Sequence, residues 1–458
     1  MLIHDDTIAA IATAPGEAGV SITRVSGPDA FAIAETLFDG KTRPSAMAAN
    51  SFAYGRLHAA GDDEATLDEV ILLAYRAPHS YTRDDVIEIQ SHGGSVSARR
   101  ILRAVLEAGA RMAEPGEFTR RAFLNGRLDL LQAEAVADLI RARSDRAAGA
   151  AIEQLTGSLS DAFNGIYDNL ITVAADIEAT LDFAEEELPE ETLPALSARL
   201  RDVVQALEDL LATWEEGHLL RDGALVVISG QPNVGKSTLM NALLGKNRAI
   251  VTDMAGTTRD TIEEHLIVDG VPLRLVDTAG IRDVDCVIEK EGIRRARASM
   301  ESADINIHML DASQALDAQD ADMLQRLDPQ RTIVVLNKLD LGNRVDKTTL
   351  PPDMACCHCA LRSGEGLQPL TDALAAHLHV QHNAPPHAVI SERHRDLVRS
   401  ALGDTKSALQ QLEEGGGDAP ILTSQAMREA LETLGTVTGR AYSDALLDTV
   451  FSRFCIGK

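Results

Sequence analysis

The segment GQPNVGKS, from Gly230 to Ser237, constrains this chain more than any other feature. It follows an apolar run, ALVVIS from Ala224, and leads through Thr238 into residues with helical spacing. A G-x-x-x-x-G-K-S sequence between a buried strand and a helix forms a phosphate-binding loop. Its glycines let backbone N–H groups curl around an anion without Cβ clashes, and the helix N-terminus adds a favourable field. Lys236 is placed to reach the outer phosphates and the Ser237 hydroxyl to ligate Mg²⁺. Strand-like runs recur at Leu273 to Asp277, Asp304 to Asp311 and Thr332 to Asn337, with helical stretches between them, and the pattern ends near Val380. This alternation predicts a parallel sheet wound with helices.

Downstream motifs narrow the ligand. DTAG, Asp277 to Gly280, closes a strand; Asp277 suits a water-mediated metal contact and the Gly280 amide a γ-phosphate contact. NKLD, Asn337 to Asp340, closes another. A carboxylate at Asp340 accepts two hydrogen bonds from guanine's N1–H and exocyclic amine, a pair that adenine lacks. Matched bidentate pairs discriminate by roughly 1–3 kcal/mol, so GTP rather than ATP is expected. GTTRD, Gly256 to Asp260, supplies Thr258 as a second hydroxyl for Mg²⁺. Cys359-Ala360 precedes LRSGEGL where GTPases usually carry Ser-Ala, and backbone N–H groups of that loop should still meet the base oxygen. The expected contact set is Asn233, Val234, Gly235, Lys236, Ser237 and Thr238; Thr252, Asp253, Met254, Ala255, Gly256, Thr257 and Thr258; Asp277, Thr278, Ala279 and Gly280; Asn337, Lys338 and Asp340; and Cys359, Ala360 and Leu361. The run Cys356, Cys357, His358 and Cys359 offers adjacent ligands rather than paired C-x-x-C hairpins, so it reads as a strand with small buried cysteines rather than a zinc site.

Many GTPases carry a Gln after DTAG to orient the attacking water; here Ile281 stands there and can neither donate nor accept. Arg259 or an acidic residue beyond Ile281 are the nearby substitutes. Asn233 has two readings. Its amide oxygen could ligate a monovalent cation beside the phosphates, supplying the charge of an arginine finger, or its side chain could satisfy the loop backbone.

Around this unit the texture differs. Residues 1–125 read as α+β, with strands at Ile8 to Ala12, Val20 to Val25, Val70 to Tyr75 and Val86 to Gln90 and a helix at Ser95 to Ala108. Residues 126–222 and 381–458 read as helical, with a connection at LPEETLP (188–194), a linker at NAPPHA from Asn383 and a break around Gly416. The fold class expected is an N-terminal α+β domain and a helical domain into which the P-loop G domain, 223–380, is inserted. A net charge of −27 opposes generic nucleic-acid binding. Arg141, Arg143 and Arg146 are the candidate basic patch, and read better as a solvated helix face. No run of eighteen apolar residues predicts a membrane span, the first residues do not read as a secretory signal, and five cysteines in 458 residues fit a reducing cytosol.

Taken with these motifs, the opening DTIAAIATAPGEAGVSITRVSG, the segment SHGG (Ser91 to Gly94), PGEFTRRAFLNGRLDLLQAEAVADLI from Pro115 and the terminal FCIGK resemble the tRNA-modification GTPases of the MnmE (TrmE) family, over nearly the whole chain. The resemblance implies a cytoplasmic homodimer joined through the N-terminal domain, acting with the FAD-binding protein MnmG. Together the two install an aminomethyl or carboxymethylaminomethyl group at carbon five of the tRNA wobble uridine, with a one-carbon unit from a tetrahydrofolate. It implies K⁺ activation, with Asn233 as a K⁺ ligand helped by carbonyls of Thr252, Met254 and Thr257. Glu289 matches the family's catalytic glutamate, and joins Asn233 and Lys236 as the expected catalytic group. Folate binding falls on Arg24, Glu88, Arg127 and Lys458: a glutamate accepts from a pterin's amine and ring N–H, and basic groups suit its carboxylates. Arg127 replaces the lysine familiar in bacterial relatives, keeping charge but changing geometry. Cys455 is a possible nucleophile if its thiol pKa is lowered, Lys458 being close in sequence, or simply an exposed or packed thiol. Two other readings share the nucleotide motifs. A ribosome-assembly GTPase would bring a basic RNA-binding appendage, which this acidic chain does not show, and a GTP-dependent scaffold without significant catalysis is kept open by Ile281.

Overall fold

A computed structural model describes residues 6–182, 192–247, 263–277, 300–378, 391–415 and 419–458. Contacts divide the chain into two units, one of residues 1–137, 163–168 and 428–458 and one of residues 138–162 and 169–427.

The first unit is built on a seven-stranded sheet in the order β3-β4-β5-β6-β2-β1-β7, where β1 is Ile8–Ile11, β2 Val20–Ser26, β3 Phe38–Gly40, β4 Ser51–Ala59, β5 Asp62–Tyr75, β6 Val86–His92 and β7 Arg111–Met112. All neighbours are antiparallel except β1 and β7. Period-two alternation sends Ala9, Val25, Leu57, Leu72, Ile87 and Ile89 to one face. There they meet Leu37 of α1 (Ala30–Leu37) and Ile101 and Val105 of α2 (Ser95–Glu107) in one core. Helix α2 buries Ala98, Ile101, Leu102 and Val105, the i, i+3, i+4, i+7 spacing of a single stripe.

On the opposite face Ile8 and Ala10 pack on Phe118 of α3 (Glu117–Leu124), while Phe52, Tyr54 and Ile71 stay exposed at the β4–β5 end. Arg121 is 1% exposed and donates to the Asp6 carboxylate at 2.8 Å and to Glu117 at 3.0 Å; Arg111 donates to the same Glu117 oxygen at 2.6 Å. Burial alone would raise the Glu117 carboxyl, but donors from Arg111, the Glu114 amide and Arg121 outweigh it and hold it below the usual range. The chain's end returns to this unit. The helix Asp444–Phe451 leads to Phe454, which stacks at an angle on Phe451, and the Cys455 carbonyl accepts from the Gly116 amide at 3.4 Å. Gly457 has φ of 99°, and a Cβ there would stand 2.4 Å from the Ile11 carbonyl oxygen, so both conformation and space call for glycine.

Helices α4 (Leu130–Arg141), α5 (Asp145–Leu155), α6 (Ser158–Asp182), α7 (Thr192–Ala212) and α8 (Trp214–Asp222) come next in the chain. In the second unit, the sheet has six strands in the order β13-β12-β11-β8-β10-β9, where β8 is Ala224–Gly230, β9 Glu263–Val268, β10 Val271–Asp277, β11 Ile305–Asp311, β12 Thr332–Asn337 and β13 Ala355–His358. Five strands run parallel, and β12 is buried throughout, as a strand covered on both faces must be. The strands expected from sequence run parallel; β9, which was not among them, is antiparallel to β10. Asp269 and Gly270 join them with φ of 50° and 79°, the two-residue turn that an Asp-Gly pair favours.

Helix α9 (Lys236–Asn247) follows β8 and packs with α11 (Leu367–His377) on the sheet face of Ile307 and Ile333, while α10 (Ala318–Arg326) packs through Leu324 on the opposite face, against Leu310 and Leu336. Helix α12 (Glu392–Glu414) starts at a capping box, Ser391 Oγ accepting from the His394 amide and His394 Nδ1 from the Ser391 amide. It packs along α7, with Lys406 paired to Glu208 at 2.6 Å and Arg201 to Glu413. The helical segments on either side of the inserted domain therefore contact one another. Helix α13 (Ala419–Thr438) follows α12. The linker expected from Asn383 lies outside the described residues, as do residues 188–191 of the expected 188–194 connection and the break at Gly416.

Candidate nucleotide-binding site

Strand β8 ends at Gly230 and α9 begins at Lys236, so GQPNVGKS forms the turn between a buried strand and a helix N-terminus. Asn233 and Gly235 take left-handed conformations, φ 63° and 108°. Asparagine tolerates that region better than most side-chain-bearing residues. At Gly235 a Cβ would meet Asn337 Nδ2 at 2.4 Å, so the loop closes onto β12 only with glycine there. Lys236 is 7% exposed, and its ammonium donates to the carbonyls of Gly230 at 3.0 Å and Gln231 at 2.8 Å. Those bonds hold a buried cation inside the loop. Asn233, Ser237 and Thr238 are exposed, and among the described residues their side chains make no hydrogen bond. Of the two readings of Asn233, the one in which its amide satisfies the loop backbone finds no such bond here.

The base-side loops are tied to this turn by one residue that sequence reading had treated only as part of a motif. Asn337, 4% exposed, donates from Nδ2 to the Val234 carbonyl at 2.8 Å and accepts at Oδ1 from the Leu361 amide at 3.2 Å. It links the phosphate loop to the Cys359-Ala360-Leu361 turn. Lys338, at φ 65°, donates to Asp311 at 2.7 Å. Burial would raise the Asp311 carboxyl, but Lys338 and Ser313 outweigh it and lower it. Asp340 lies exposed in the 3₁₀ turn Leu339–Leu341, the Leu339 amide donating to the Cys359 carbonyl at 3.2 Å. The structure thus brings Val234, Gly235 and Lys236 together with Asn337, Lys338, Cys359 and Leu361. Along β13 the side chains alternate: Cys357 and then Cys359 are buried, with thiols pushed up to about 11 by burial, while Cys356 and His358 are exposed. Alternation keeps the four from converging, and no cluster able to hold a metal occurs among the described residues.

Beneath the loop lies a pair that the sequence did not signal. On β11, His308 accepts or donates through Nδ1 with Ser229 Oγ at 2.9 Å; its register partner on β8 is that same Ser229. Burial, with the Lys236 charge nearby, pushes His308 down to about 4, so its imidazole is neutral at neutral pH.

Thr252, Asp253, Met254, Ala255, Gly256, Thr257, Thr258, Arg259, Thr278, Ala279, Gly280, Ile281 and Glu289 lie outside the described residues; Asp277 is described only as the end of β10. Of the basic patch expected on the helix face, Arg143 meets the His265 ring and Arg146 donates to the Asp269 carbonyl at 3.4 Å, both on the β9–β10 hairpin. Both contacts are exposed, so these arginines stay on a solvated surface while touching the hairpin.

A second site sits in the first unit. A cavity of about 530 Å³ is lined by Tyr75, Tyr81, Glu88 and Arg127 among others, a volume suited to a small molecule. Arg24 and Glu88 are register partners on β2 and β6, and Arg24 Nε donates to Glu88 at 2.8 Å. Arg24 and Arg127 both lie over the Tyr81 ring, at 5.1 and 4.7 Å, a platform that sequence reading missed because a lone Tyr carries no pattern. Arg24 Nη1 is buried without a hydrogen-bond partner. Burial and the Arg24 charge lower the pKa of Lys458, with Glu88 opposing, so the Lys458 ammonium belongs to the same cluster. Cys455 is exposed.

Two family models match the chain: "MnmE helical domain" over residues 130–455 and "GTP-binding protein TrmE N-terminus" over residues 7–127. Proteins named tRNA modification GTPase MnmE are similar over its length. That of Lactiplantibacillus plantarum is 43% identical over 99% of this chain and 98% of its own. That of Clostridioides difficile is 40% identical over 99% of each chain, and that of Geobacter sulfurreducens 43% identical over 99% of each.

Proposed function

Because this chain belongs to the tRNA modification GTPase MnmE family, we propose that it is a K⁺-activated GTPase that works with an FAD-binding MnmG partner to install a carboxymethylaminomethyl or aminomethyl group at carbon five of the tRNA wobble uridine, drawing the carbon from a tetrahydrofolate. The observation that carries the finer part is the Arg24–Glu88 cluster. A buried guanidinium nitrogen without a partner, a carboxylate at a cavity wall and the cations Arg127 and Lys458 offer matched partners for a pterin ring and its acidic tail. Glu88 accepts from the pterin's paired donors, Arg24 fixes Glu88, and Tyr81 supplies a flat apolar surface.

In the nucleotide site Lys236 neutralises phosphate charge and Asp340 selects guanine. Ser237, the second residue of α9, presents an exposed hydroxyl and with Thr258 would hold a magnesium ion, which would supply positive charge against the phosphates. Asn233, held left-handed with an amide that makes no hydrogen bond among the described residues, fits a K⁺ ligand together with carbonyls of Thr252, Met254 and Thr257, and Glu289 orients the attacking water indirectly. The G domain spans 223–380, inserted between helical segments 126–222 and 381–458, with the folate-binding and dimerisation domain at 1–125. The exposed Phe52, Tyr54 and Ile71, 74%, 62% and 37% accessible, support pairing of two copies through this sheet face. A cytoplasmic site of action follows from the substrate; no helix among the described residues is long and apolar enough to cross a membrane.

The test has two arms. GTP turnover should be faster in KCl than in NaCl, with the difference abolished by Asn233→Ala, and labelled 5-formyltetrahydrofolate should bind the wild type and not Glu88→Gln. Equal turnover in both salts would remove the K⁺ assignment, and undiminished binding to Glu88→Gln the folate assignment.

A further inference from the structure

This acidic chain acts on a polyanion, yet two of the three arginines that sequence reading singled out are engaged by the β9–β10 hairpin. A different cationic surface is left open. Helix α2, SVSARRILRAVLE, carries three arginines and one glutamate. Because Ala98, Ile101, Leu102 and Val105 fill the core, the helical period turns Arg99, Arg100 and Arg103 to solvent: at ~100° per residue they fall within an arc of about 100°, and Arg99 and Arg103 stand roughly 6 Å apart along the axis. Five other arginines of this unit are tied down: Arg24 to Glu88, Arg76 to Asp85, Arg111 and Arg121 to Glu117 and Asp6, Arg120 to Asp448; Arg43 and Arg56 are exposed but each faces a glutamate, Glu35 and Glu69. Arg99, Arg100 and Arg103 make no ion pair or hydrogen bond among the described residues.

Like charges that close repel one another, and helical like-charge pairs at this spacing cost a few tenths of a kcal/mol. A helix formed for packing alone would carry mixed charges on that face. Three planar guanidinium forks on one side of a helix match the phosphate oxygens of a nucleic-acid backbone, which they can bind bidentately. We propose that the outer face of α2, through Arg99, Arg100 and Arg103, contacts the phosphate backbone of the tRNA substrate. The inference rests on the tRNA-modification reading. The contacts are backbone contacts, so they add affinity and orientation without reading sequence.

The experiment measures retention of unfractionated tRNA by the full-length protein across a KCl series, comparing wild type with R99Q/R100Q/R103Q and with a control, R326Q, which lies in the other unit and pairs with Asp322. An unchanged circular-dichroism spectrum and melting temperature for each variant verify that the fold is intact. The triple variant should bind tRNA at least about tenfold more weakly at ~0.1 M salt. Its slope of log affinity against log salt should be shallower by about two, at roughly 0.7–0.9 per phosphate contact, while the control matches wild type. Wild-type affinity and slope in the triple variant would overturn the inference and leave the tRNA reading standing. Loss of tRNA modification with unchanged tRNA retention would also overturn it, by assigning the face to a protein partner. Failure of the wild type itself to retain tRNA would overturn both.

Discussion

Replacing Asn337 should weaken nucleotide binding through the two loops that its side chain joins. Its two hydrogen bonds, 2.8 Å to the Val234 carbonyl and 3.2 Å from the Leu361 amide, are both buried. Asn337→Ala leaves a carbonyl and an N–H without partners, at about 1–3 kcal/mol each. Some of that cost is recovered where the freed loops move to water, so about 2–4 kcal/mol remains for the loops to be held in the binding geometry. If nucleotide binding must restore that geometry, affinity falls by roughly 30- to 1000-fold, at 1.4 kcal/mol per factor of ten. Asn337→Asp tests the donor separately: it keeps an acceptor for Leu361 but turns a carboxylate oxygen toward the Val234 carbonyl, so it should bind no better than the alanine variant. Titration with a fluorescent guanine nucleotide measures both. An alanine variant within about twofold of wild type, or an aspartate variant restored to wild-type affinity, would refute the reasoning that this side chain couples the two loops.

Two further expectations concern the first unit. Asp6 and Glu117 have folded pKa values below their ordinary ones of 3.8 and 4.5, so their pairing with Arg111 and Arg121 stabilises this unit above that range and is lost as pH falls through and below it. Thermal melting between pH 6 and 3 should show a steep loss that Glu117→Gln flattens, at the cost of a lower melting temperature near neutrality; parallel pH profiles for the two proteins would count against it. Gly457→Ala places a methyl against the Ile11 carbonyl at an unfavourable φ, so it should displace Lys458 from the Arg24–Glu88 cluster and weaken 5-formyltetrahydrofolate binding about tenfold without changing GTP turnover. Unchanged folate affinity by calorimetry would show that Lys458 does not need that turn.

What could be read beforehand depended on how local its physics is. The phosphate loop was legible because strand, glycine spacing and helix start are contiguous, β12 because a strand buried on both faces reads as an apolar run, and β10 and β11 because apolar residues still fill most of their positions around Arg274, Asn306 and His308. Strand β9 was missed although Asp269-Gly270 signals a hairpin; its first residues, Glu263 and Glu264, masked the alternation. In β4, Phe52 and Tyr54 point to solvent, so its apolar alternation gives no dependable inside and outside. The two roles of Asn337, the Ser229–His308 pair and the Tyr81 platform join residues far apart in sequence, and no spacing rule reports such meetings. The contacts of Arg143 and Arg146 were not legible for the same reason, since the hairpin that receives them lies more than a hundred residues downstream.

The pairing of α7 with α12 has a consequence for biosynthesis. While the ribosome is making the nucleotide-binding domain, the apolar stripe of α7, with Leu200, Val203 and Leu207, waits for a mate not yet translated. The inserted domain has its own sheet and core, so it is able to fold during that interval and hold the two halves of the helical layer near each other. A lesion that slows folding of the insert would then first appear as aggregation through the uncovered α7, well before any defect in catalysis could be measured.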